Sequence, residues 1–491
     1  MTFYSNAWKE KDYESKIPHE QIVQIKLNDK QMQENLMTAM HTLQKNRLNV
    51  IDARFKDWQG LRAKAKQAKN NALMSLEERL LEFEKNATKN GIKVHWASSD
   101  EDACEIVYEI MKEKNITKLL KGKSMASEEI GLNHYLEKKG LKAIETDLGE
   151  LILQLNEEPP LHIVVPAIHR NRHEIGEIFK EKLGANLEND EPESLNAVAR
   201  EHLRKDFEGL KLGLSGVNFA MSKEGAFWLI ENEGNGRMCT TAPDIHIALC
   251  GIEKVMESFE DAATMVSLLT PSATGQFIPT YNNIITGPRK NGDLDGPKEV
   301  HVILFDHNRS KMLAHEDYYE ALRCIRCGAC MNFCPVYDQI GGHAYQTTYP
   351  GPIGEVISPN IFGIDHTGDI LNFCSLCGRC SEVCPVQIPL ADLIRKLRCD
   401  KIGQGKNPPL GANNVHHNAL EAFAFKQFKN IATNGDKWHF SLSKAHYFNW
   451  AVQNFASVLP VIKKWYAFKE LPQIKMDLYK EVQKLEGVSY E

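Results

Sequence analysis

Apolar residues recur at helical spacing between residues 28 and 86, in a stretch that is rich in Gln, Lys, Glu, Leu and Ala and holds almost no glycine or proline. Hydrophobic positions three and four residues apart line one face of an α-helix. The stretch also has few helix-breaking residues. The pattern therefore predicts long helices near the beginning of the chain, and we assign residues 1–80 to an N-terminal helical segment.

The pattern changes after residue 91, where short β-branched runs alternate with amphipathic stretches. Helices are predicted at 101–113 and 171–182. The strand predictions are 92–96, 161–165, 216–221, 226–231, 244–249, 278–285 and 300–305. The letters SKEG between two of these strands predict a hairpin. Alternation of strands and helices is typical of a largely parallel sheet, so we predict an α/β domain over residues 81–306.

The last part of the chain returns to a helical pattern with many aromatic residues. It follows GQGKNPPLGANN, which is typical of a linker. Residues 445–462 contain no Asp, Glu, Lys or Arg, but several polar side chains and Pro460 interrupt the apolar run. They predict an amphipathic docking helix and not a membrane span. We assign residues 401–491 to a C-terminal helical domain.

Composition and charge exclude several classes of protein. The 491 residues are 42% hydrophobic and 25% charged, which is typical of a soluble protein with several folded domains. The net charge is −6 and no long basic run occurs, so nucleic-acid binding is not expected. We find no secretory signal and no transmembrane segment, which predicts a cytoplasmic protein and still allows peripheral contact with a membrane.

Cysteine usage supplies the strongest chemical signal. The chain has 12 cysteines, and a reducing cytoplasm favours metal ligation over disulfides. Eight of them form two copies of C-x2-C-x2-C-x3-C-P. Each final proline biases the preceding cysteine toward extended backbone. The spacing is that of two-cluster ferredoxins, in which the fourth cysteine of each run binds the other cluster.

That rule predicts two 4Fe–4S clusters with crossed ligands. The first cysteine set is Cys324, Cys327, Cys330 and Cys384. The second cysteine set is Cys374, Cys377, Cys380 and Cys334. Zinc is the alternative, because C-x2-C pairs also bind zinc, but zinc ribbons require neither the third cysteine nor the terminal C-P. We therefore predict an α-helical dicluster ferredoxin-like module over residues 307–400. The other cysteines are expected to be small buried hydrophobes: Cys104, Cys239, Cys250 and Cys399.

The cysteine-rich runs LRCIRCGACMNFCPVYDQIGGHAYQTTYPGPIG and CSLCGRCSEVCPVQIPL resemble the iron–sulfur subunit of lactate-utilization systems, the lactate utilization protein B family. Upstream, KGKSMASEEIGLNHYLEKKG, HIVVPAIHRNRHEIGEIF and GVNFAMSKEGAFWLIENEGNGRM resemble the lactate-utilization domain of that family. The resemblance covers roughly residues 80–400. It implies a three-protein complex that oxidises L-lactate to pyruvate, in which this subunit relays electrons.

The same resemblance implies two partners, a cysteine-rich CCG-type subunit and a third lactate-utilization subunit. This chain has no adjacent cysteine pair and so lacks the CCG-type motif. It is therefore expected to be a non-catalytic relay subunit, and no catalytic residue is predicted. Two alternatives stay open: a relay subunit for glycolate, glycerol 3-phosphate or a heterodisulfide, and a redox-sensing scaffold.

Two polar groups in the α/β domain are candidate ligand sites. In ENEGNGRMC, Glu231, Asn232 and Asn235 could serve a pocket, a subunit contact or a plain turn. A dinucleotide fingerprint is not expected, because its third glycine is missing and a strand-like segment is predicted next. His169 and His173, with two nearby arginines, follow the strand predicted at 161–165 and suggest either an anion site or an exposed helix start.

Overall fold

The computed structural model describes residues 17–403, 419–445 and 447. The chain divides into two compact units, Met1–Val415 and His416–Glu491. The docking helix predicted at 445–462 lies almost entirely outside the described residues. Every helix in the described ranges is too short or too polar to cross a bilayer.

Four helices form the N-terminal segment: α1 (His19–Asn28), α2 (Lys30–Arg54), α3 (Trp58–Met74) and α4 (Leu76–Lys89). The carboxylate of Asp29 accepts a hydrogen bond from the amide of Met32 at 3.0 Å and so caps α2. Asp57 caps α3 through the amide of Gly60 at 2.7 Å. The apolar faces of α2 and α3 belong to the same buried core as the cysteine-rich region. The predicted helical segment is therefore packed against the module that follows the α/β domain.

The α/β domain contains ten strands and eight helices. In chain order these are β1 (Ile92–Ala97), α5 (Asp100–Glu113), β2 (Lys118–Lys121), α6 (Met125–Glu129), α7 (Leu132–Lys138), β3 (Lys142–Glu145), α8 (Leu148–Leu155), α9 (Arg172–Leu183), α10 (Pro192–Glu208), β4 (Leu212–Gly216), β5 (Phe219–Met221), β6 (Ala226–Glu231), α11 (Asn235–Thr241), β7 (Ile245–Gly251), β8 (Val255–Met256), α12 (Phe259–Ala273), β9 (Tyr281–Ile285) and β10 (Glu299–Phe305). A short 3-10 turn at Ile252–Lys254 connects β7 to β8.

The main sheet has six parallel strands in the order β1-β10-β7-β4-β2-β3. β7 is buried along its whole length, because apolar clusters cover both faces of the sheet. A second sheet has the order β8-β5-β6-β9 and contains the antiparallel hairpin predicted from SKEG. The predicted α/β domain with a largely parallel sheet is confirmed.

Two local predictions are wrong. Residues 161–165 form bends and not a strand. Their backbone is held by side chains, because His162 Nδ1 accepts from the amides of Val164 and Val165, both at 3.1 Å. The expectation that no helix forms at ENEGNGRMC is also wrong, since α11 begins at Asn235 directly after Gly234, and the predicted strand follows it as β7.

The cysteine-rich region is helical, as predicted. Its helices are α13 (Arg309–Leu313), α14 (Ala329–Asn332), α15 (Tyr337–Ile340), α16 (Gly351–Ile361), α17 (Ile364–Thr367), α18 (Arg379–Val383) and α19 (Leu390–Lys401). The 3-10 turns are Tyr318–Arg323, Gly342–Tyr345 and Gly368–Phe373. In the second unit, α20 (Ala419–Ala432) and α21 (Gly435–Ala445) pack through Phe428 and Trp438, whose ring centroids are 6.2 Å apart.

Candidate metal centre and adjoining cavity

The two cysteine motifs fold into loops of the same shape. Each places a residue with left-handed backbone before its second cysteine, Arg326 with φ 60° and Leu376 with φ 58°. The amide of Arg326 then donates to Cys324 Sγ at 3.4 Å, and the amide of Leu376 donates to Cys374 Sγ at 3.3 Å. Donors aimed at sulfur favour the thiolate form. Both loops therefore have the polarity that a metal-bound thiolate requires.

Gly328, directly after the second cysteine of the first motif, is required by its surroundings. Its φ is +72°, which L side chains rarely adopt. A Cβ at this position would lie 2.9 Å from His162 Cε1 and 3.2 Å from Val164 Cγ2. The irregular segment that replaces the predicted strand thus packs directly on the first loop.

The fourth cysteine of each motif lies beside the first cysteines of the other motif. Burial, together with the neighbouring Cys384 and Cys324, raises the pKa of Cys327 to about 12. Burial, together with Cys374 and Cys334, raises the pKa of Cys380 to about 12. The folded chain thus places Cys384 near Cys327 and Cys334 near Cys380.

The chemistry of the eight side chains fits an iron–sulfur centre. Burial raises the pKa of six of the eight thiols and so favours their protonated form without a cation. A cationic iron centre reverses that balance by binding thiolates. The remaining four cysteines lie outside the two motifs. Cys104, Cys239 and Cys250 are buried, and Cys399 is half-buried. Burial raises the pKa of Cys239 and Cys250 to about 12, as expected for inert buried thiols.

Two arginines from the N-terminal helices hold the end of the second motif. Arg47 Nη2 donates to the carbonyl of Val383 at 2.7 Å. Arg62 donates to the carbonyl of Cys384 through Nε at 3.1 Å and Nη2 at 2.7 Å. Both guanidinium groups are buried, and burial lowers the pKa of each. α2 and α3 therefore position Cys384 and bring positive charge close to the anionic thiolates.

A cavity of about 380 Å³ lies at the carboxyl ends of the parallel strands, where α/β folds commonly bind ligands. Glu231, Asn232 and Asn235 line it. Glu231 accepts hydrogen bonds from the amides of Gly236 at 2.7 Å and Arg237 at 2.5 Å, at the start of α11. The carboxylate is therefore occupied with backbone contacts and shapes the wall of the cavity.

His169 and His173 are not among the residues that line this cavity. His169 is buried and its Nε2 lies 3.0 Å from Glu158 Oε2. His173 is exposed and pairs with Asp190. The structure thus places these two histidines apart from Glu231, and each faces a carboxylate.

Sequence reasoning missed four cationic side chains that line the same cavity: Lys123, Lys254, Arg309 and Arg326. Lys123 lies just beyond the carboxyl end of β2, and Lys254 just beyond that of β7. A correct prediction of strand β2 would have placed Lys123 at this edge of the sheet. Arg326 belongs to the first cysteine loop and therefore connects the cavity to Cys324. Its guanidinium lies over the ring of Tyr349, 4.7 Å from the centroid.

A second cavity, of about 390 Å³, is lined by a cluster of carboxylate side chains. Lys121 Nζ lies 3.0 Å from Glu128 and 2.6 Å from Glu145. Glu150 adds a third carboxylate close enough for the three to share a cation. Burial raises the pKa of Glu150 well above its usual value, and Glu145 and Glu128 reinforce this shift. The ammonium group of Lys121 pairs with Glu128 and Glu145, so Glu150 is expected to hold a proton.

The Glu150→Gln variant is expected to be more stable than the wild type at pH 8 and equally stable at pH 4. An acid whose folded pKa exceeds its unfolded value loses its proton first in the unfolded state. Rising pH therefore costs stability, about 1.4 kcal/mol per pKa unit between the two values. Thermal unfolding at both pH values measures this, with the exposed Glu181→Gln as control. Destabilisation at pH 8 would instead show an ionised Glu150 that binds a cation.

Comparison with known proteins matches three parts of the chain to protein families. Residues 80–305 match the LUD domain. Residues 320–388 match the 4Fe-4S dicluster domain, and residues 396–488 match the C-terminal domain of lactate utilisation protein B. The predicted iron–sulfur region and lactate-utilization domain are therefore confirmed as family matches.

Individual relatives extend this similarity over most of the chain. Lactate utilization protein B of Oceanobacillus iheyensis is 41% identical over 379 residues, 77% of this chain and 79% of the relative. That of Geobacillus thermodenitrificans is 43% identical over 353 residues, 72% and 74% of the two chains. The uncharacterized electron transport protein YkgF of Escherichia coli is 39% identical over 455 residues, 92% and 93% of the two chains. Similarity of this extent shows that the chain belongs to the lactate utilization protein B family.

Proposed function

We propose that this chain is the iron–sulfur electron-relay subunit of a multi-protein L-lactate dehydrogenase system. The observation that supports the proposal is that Cys384 lies near Cys324 and Cys327, and Cys334 near Cys374 and Cys380. The first cysteine set would hold one 4Fe–4S cluster and the second cysteine set another. When bound, such clusters accept and release single electrons. Each set offers four thiols, so no ligand position remains for a hydroxy acid, and the chain would pass electrons without oxidising lactate itself.

The two sets differ in exposure, which suggests the direction of the relay. All four members of the first set are buried, and Arg326 in its loop reaches the cavity of the α/β domain. In the second set Cys377 is exposed, and the neighbouring Leu376 is 40% exposed. A partner protein could thus approach the second set at the surface, whereas the first set is reached from the interior.

The names of the relatives support the substrate and the role. Several are lactate utilization proteins B, and one is an electron transport protein. The partners proposed for this chain are the cysteine-rich CCG-type subunit and the third lactate-utilization subunit. Oxidation of a hydroxy acid requires a two-electron acceptor, which this proposal assigns to the partners.

Dithionite is expected to bleach the visible absorbance of the clusters in the isolated holo-protein, and L-lactate is not. Addition of the two partner subunits is expected to make L-lactate bleach it on the timescale of turnover. Anaerobic absorbance measurements with each subunit combination test this. Glycolate and glycerol 3-phosphate form parallel arms, and preferential reduction by either would replace lactate as the donor. Rapid bleaching by L-lactate without partners would contradict the relay role.

A further inference from the structure

The cavity in the α/β domain holds positive charge that the protein compensates only in part. Within the described ranges, Lys254 makes no hydrogen bond or ion pair, although its side chain lines the cavity. The ammonium group of Lys123 donates only to the carbonyl of Val164. Arg326 Nη1 is buried with no hydrogen-bond partner, and Nη2 lies 3.4 Å from Glu253. Buried cations without partners are costly, so this arrangement favours an anionic ligand.

Lys254 and Arg326 lie close enough to repel each other. Burial lowers the pKa of Lys254, and the nearby Arg326 lowers it further. The carboxylate nearest to both is Glu253, which is already bound through its other oxygen by Arg309 Nε at 2.5 Å. An anion between the two cations would relieve the repulsion and satisfy Arg326 Nη1. The planar fork of an arginine matches a carboxylate especially well.

Carboxylates on the opposite wall leave Lys254 and Arg326 available, although Glu233 lies close enough to Lys123 to interact with it. Glu231 is held by the amides at the start of α11. Burial and the neighbouring Asp147 raise the pKa of Glu233 to about 7, so this side chain is partly protonated near neutral pH. Asp147 accepts a hydrogen bond from the amide of Glu150 and caps α8. The cationic side of the cavity therefore remains available.

The rest of the lining indicates the size and polarity of the ligand. The volume of about 380 Å³ is at the small end of the range of about 300–1,000 Å³ found for small-molecule pockets. Apolar side chains, including Val164 and Leu269, face the cavity beside the cations. Gly216 and Gly251, at the ends of β4 and β7, expose backbone to it. A small molecule with one anionic group and a short apolar body suits this lining.

We propose that this cavity binds a short-chain organic carboxylate, with the carboxylate group between Lys254 and Arg326. The choice of a carboxylate over other anions rests in part on the proposed function, in which a hydroxy acid is the electron donor. The ligand would lie next to the first cysteine set, because the amide of Arg326 donates to Cys324 Sγ at 3.4 Å. Tyr349 keeps the guanidinium in place from the other side.

Titration calorimetry on the anaerobic full-length holo-protein tests this proposal. The probes are L-lactate, pyruvate, the uncharged analogue L-lactamide and inorganic phosphate. L-lactate or pyruvate is expected to bind with one site per chain, and L-lactamide and phosphate at least about tenfold more weakly, because a buried charge pair contributes more than about 1.4 kcal/mol. Phosphate binding as tight as that of both acids, or no binding of either acid, would overturn the proposal.

Lys254→Gln is expected to weaken carboxylate binding at least tenfold, and Lys254→Met is the second variant if the first does not fold. The matched control is Lys223→Gln, an exposed lysine that pairs with Glu257 at 2.7 Å away from the cavity lining. Equal affinities for the cavity variant and the control would overturn the site. The cavity proposal and the proposed function can fail independently. A chain that relays electrons with its partners but binds no carboxylate would contradict only the cavity proposal. A chain that binds a carboxylate but relays no electrons would contradict only the relay proposal.

Discussion

Replacement of Cys384 by alanine is expected to remove the cluster that the first motif holds, although Cys384 belongs to the second motif. The wild-type chain is expected to contain about eight iron and eight sulfide, and the variant about half of each. The reason is the crossed geometry, in which Cys384 lies beside Cys324 and Cys327. Cys334→Ala is expected to have the converse effect, since Cys334 lies beside Cys374 and Cys380.

Iron and acid-labile sulfide analysis gives the stoichiometry, and low-temperature EPR of the reduced protein distinguishes which centre survives. The two variants are expected to leave different signals, because one surviving centre is buried and the other includes the exposed Cys377. Cys250→Ala serves as the matched control, because Cys250 is a buried thiol outside both motifs. If Cys384→Ala and Cys334→Ala left the same signal, or if stoichiometric zinc replaced iron, the crossed ligand sets would be wrong.

The cysteine spacing and the long apolar runs predicted the helical cysteine-rich region and the parallel sheet, because each pattern depends on local geometry. A C-x2-C-x2-C-x3-C-P run encodes its own loop, including the left-handed turn that aims an amide at sulfur. β7 and β10 were predicted within a few residues, since central parallel strands are continuous apolar runs, and the edge strand β1 was predicted as well. These features made the fold class predictable without any tertiary information.

The errors arose where tertiary contacts determine the local structure. LHIVV at 161–165 has the composition of a strand, but the ring of His162 and the neighbouring cysteine loop satisfy its backbone and its packing. β2 and β3 are only four residues long and contain lysines, so their pattern is weak. The cavity was only partly predictable, because its cations come from strand ends and from a cysteine loop that are distant in sequence.

Replacement of Arg309 by methionine is expected to destabilise the fold by roughly 3–5 kcal/mol, the usual cost of leaving a buried charge unpaired. Arg309 is 2% exposed and joins the α/β domain to the start of the cysteine-rich module. Its guanidinium donates to both oxygens of Glu129, at 2.8 and 2.7 Å, and to Glu253 at 2.5 Å. Loss of the guanidinium leaves two buried carboxylates without their main counter-charge. Chemical denaturation of the anaerobic holo-protein measures the change in the free energy of unfolding.

Two further variants separate the charge effect from simple loss of packing. Arg172→Met removes an exposed pair with Glu191, 3.0 Å apart, and is expected to cost less than about 1 kcal/mol. In the Arg309→Met background, Glu129→Gln is expected to recover part of the loss, because it removes one of the unpaired charges. If Arg309→Met cost no more than Arg172→Met, the buried network would contribute nothing specific to stability.

The pH dependence provides a separate test of the same network. Burial alone would raise the pKa of Glu129, but Arg309 and the hydrogen bond from His307 hold this pKa well below its usual value. Such a group contributes stability above its unfolded pKa, near 4.3, and loses that contribution as the pH falls through the folded pKa. In Arg309→Met the buried carboxylate takes up a proton more readily and so escapes part of its penalty in acid. The stability gap between wild type and Arg309→Met is therefore expected to be largest near neutral pH and to narrow as the pH falls from there toward the low folded pKa of Glu129 in the wild type, whereas a deficit due only to lost packing would not change with pH.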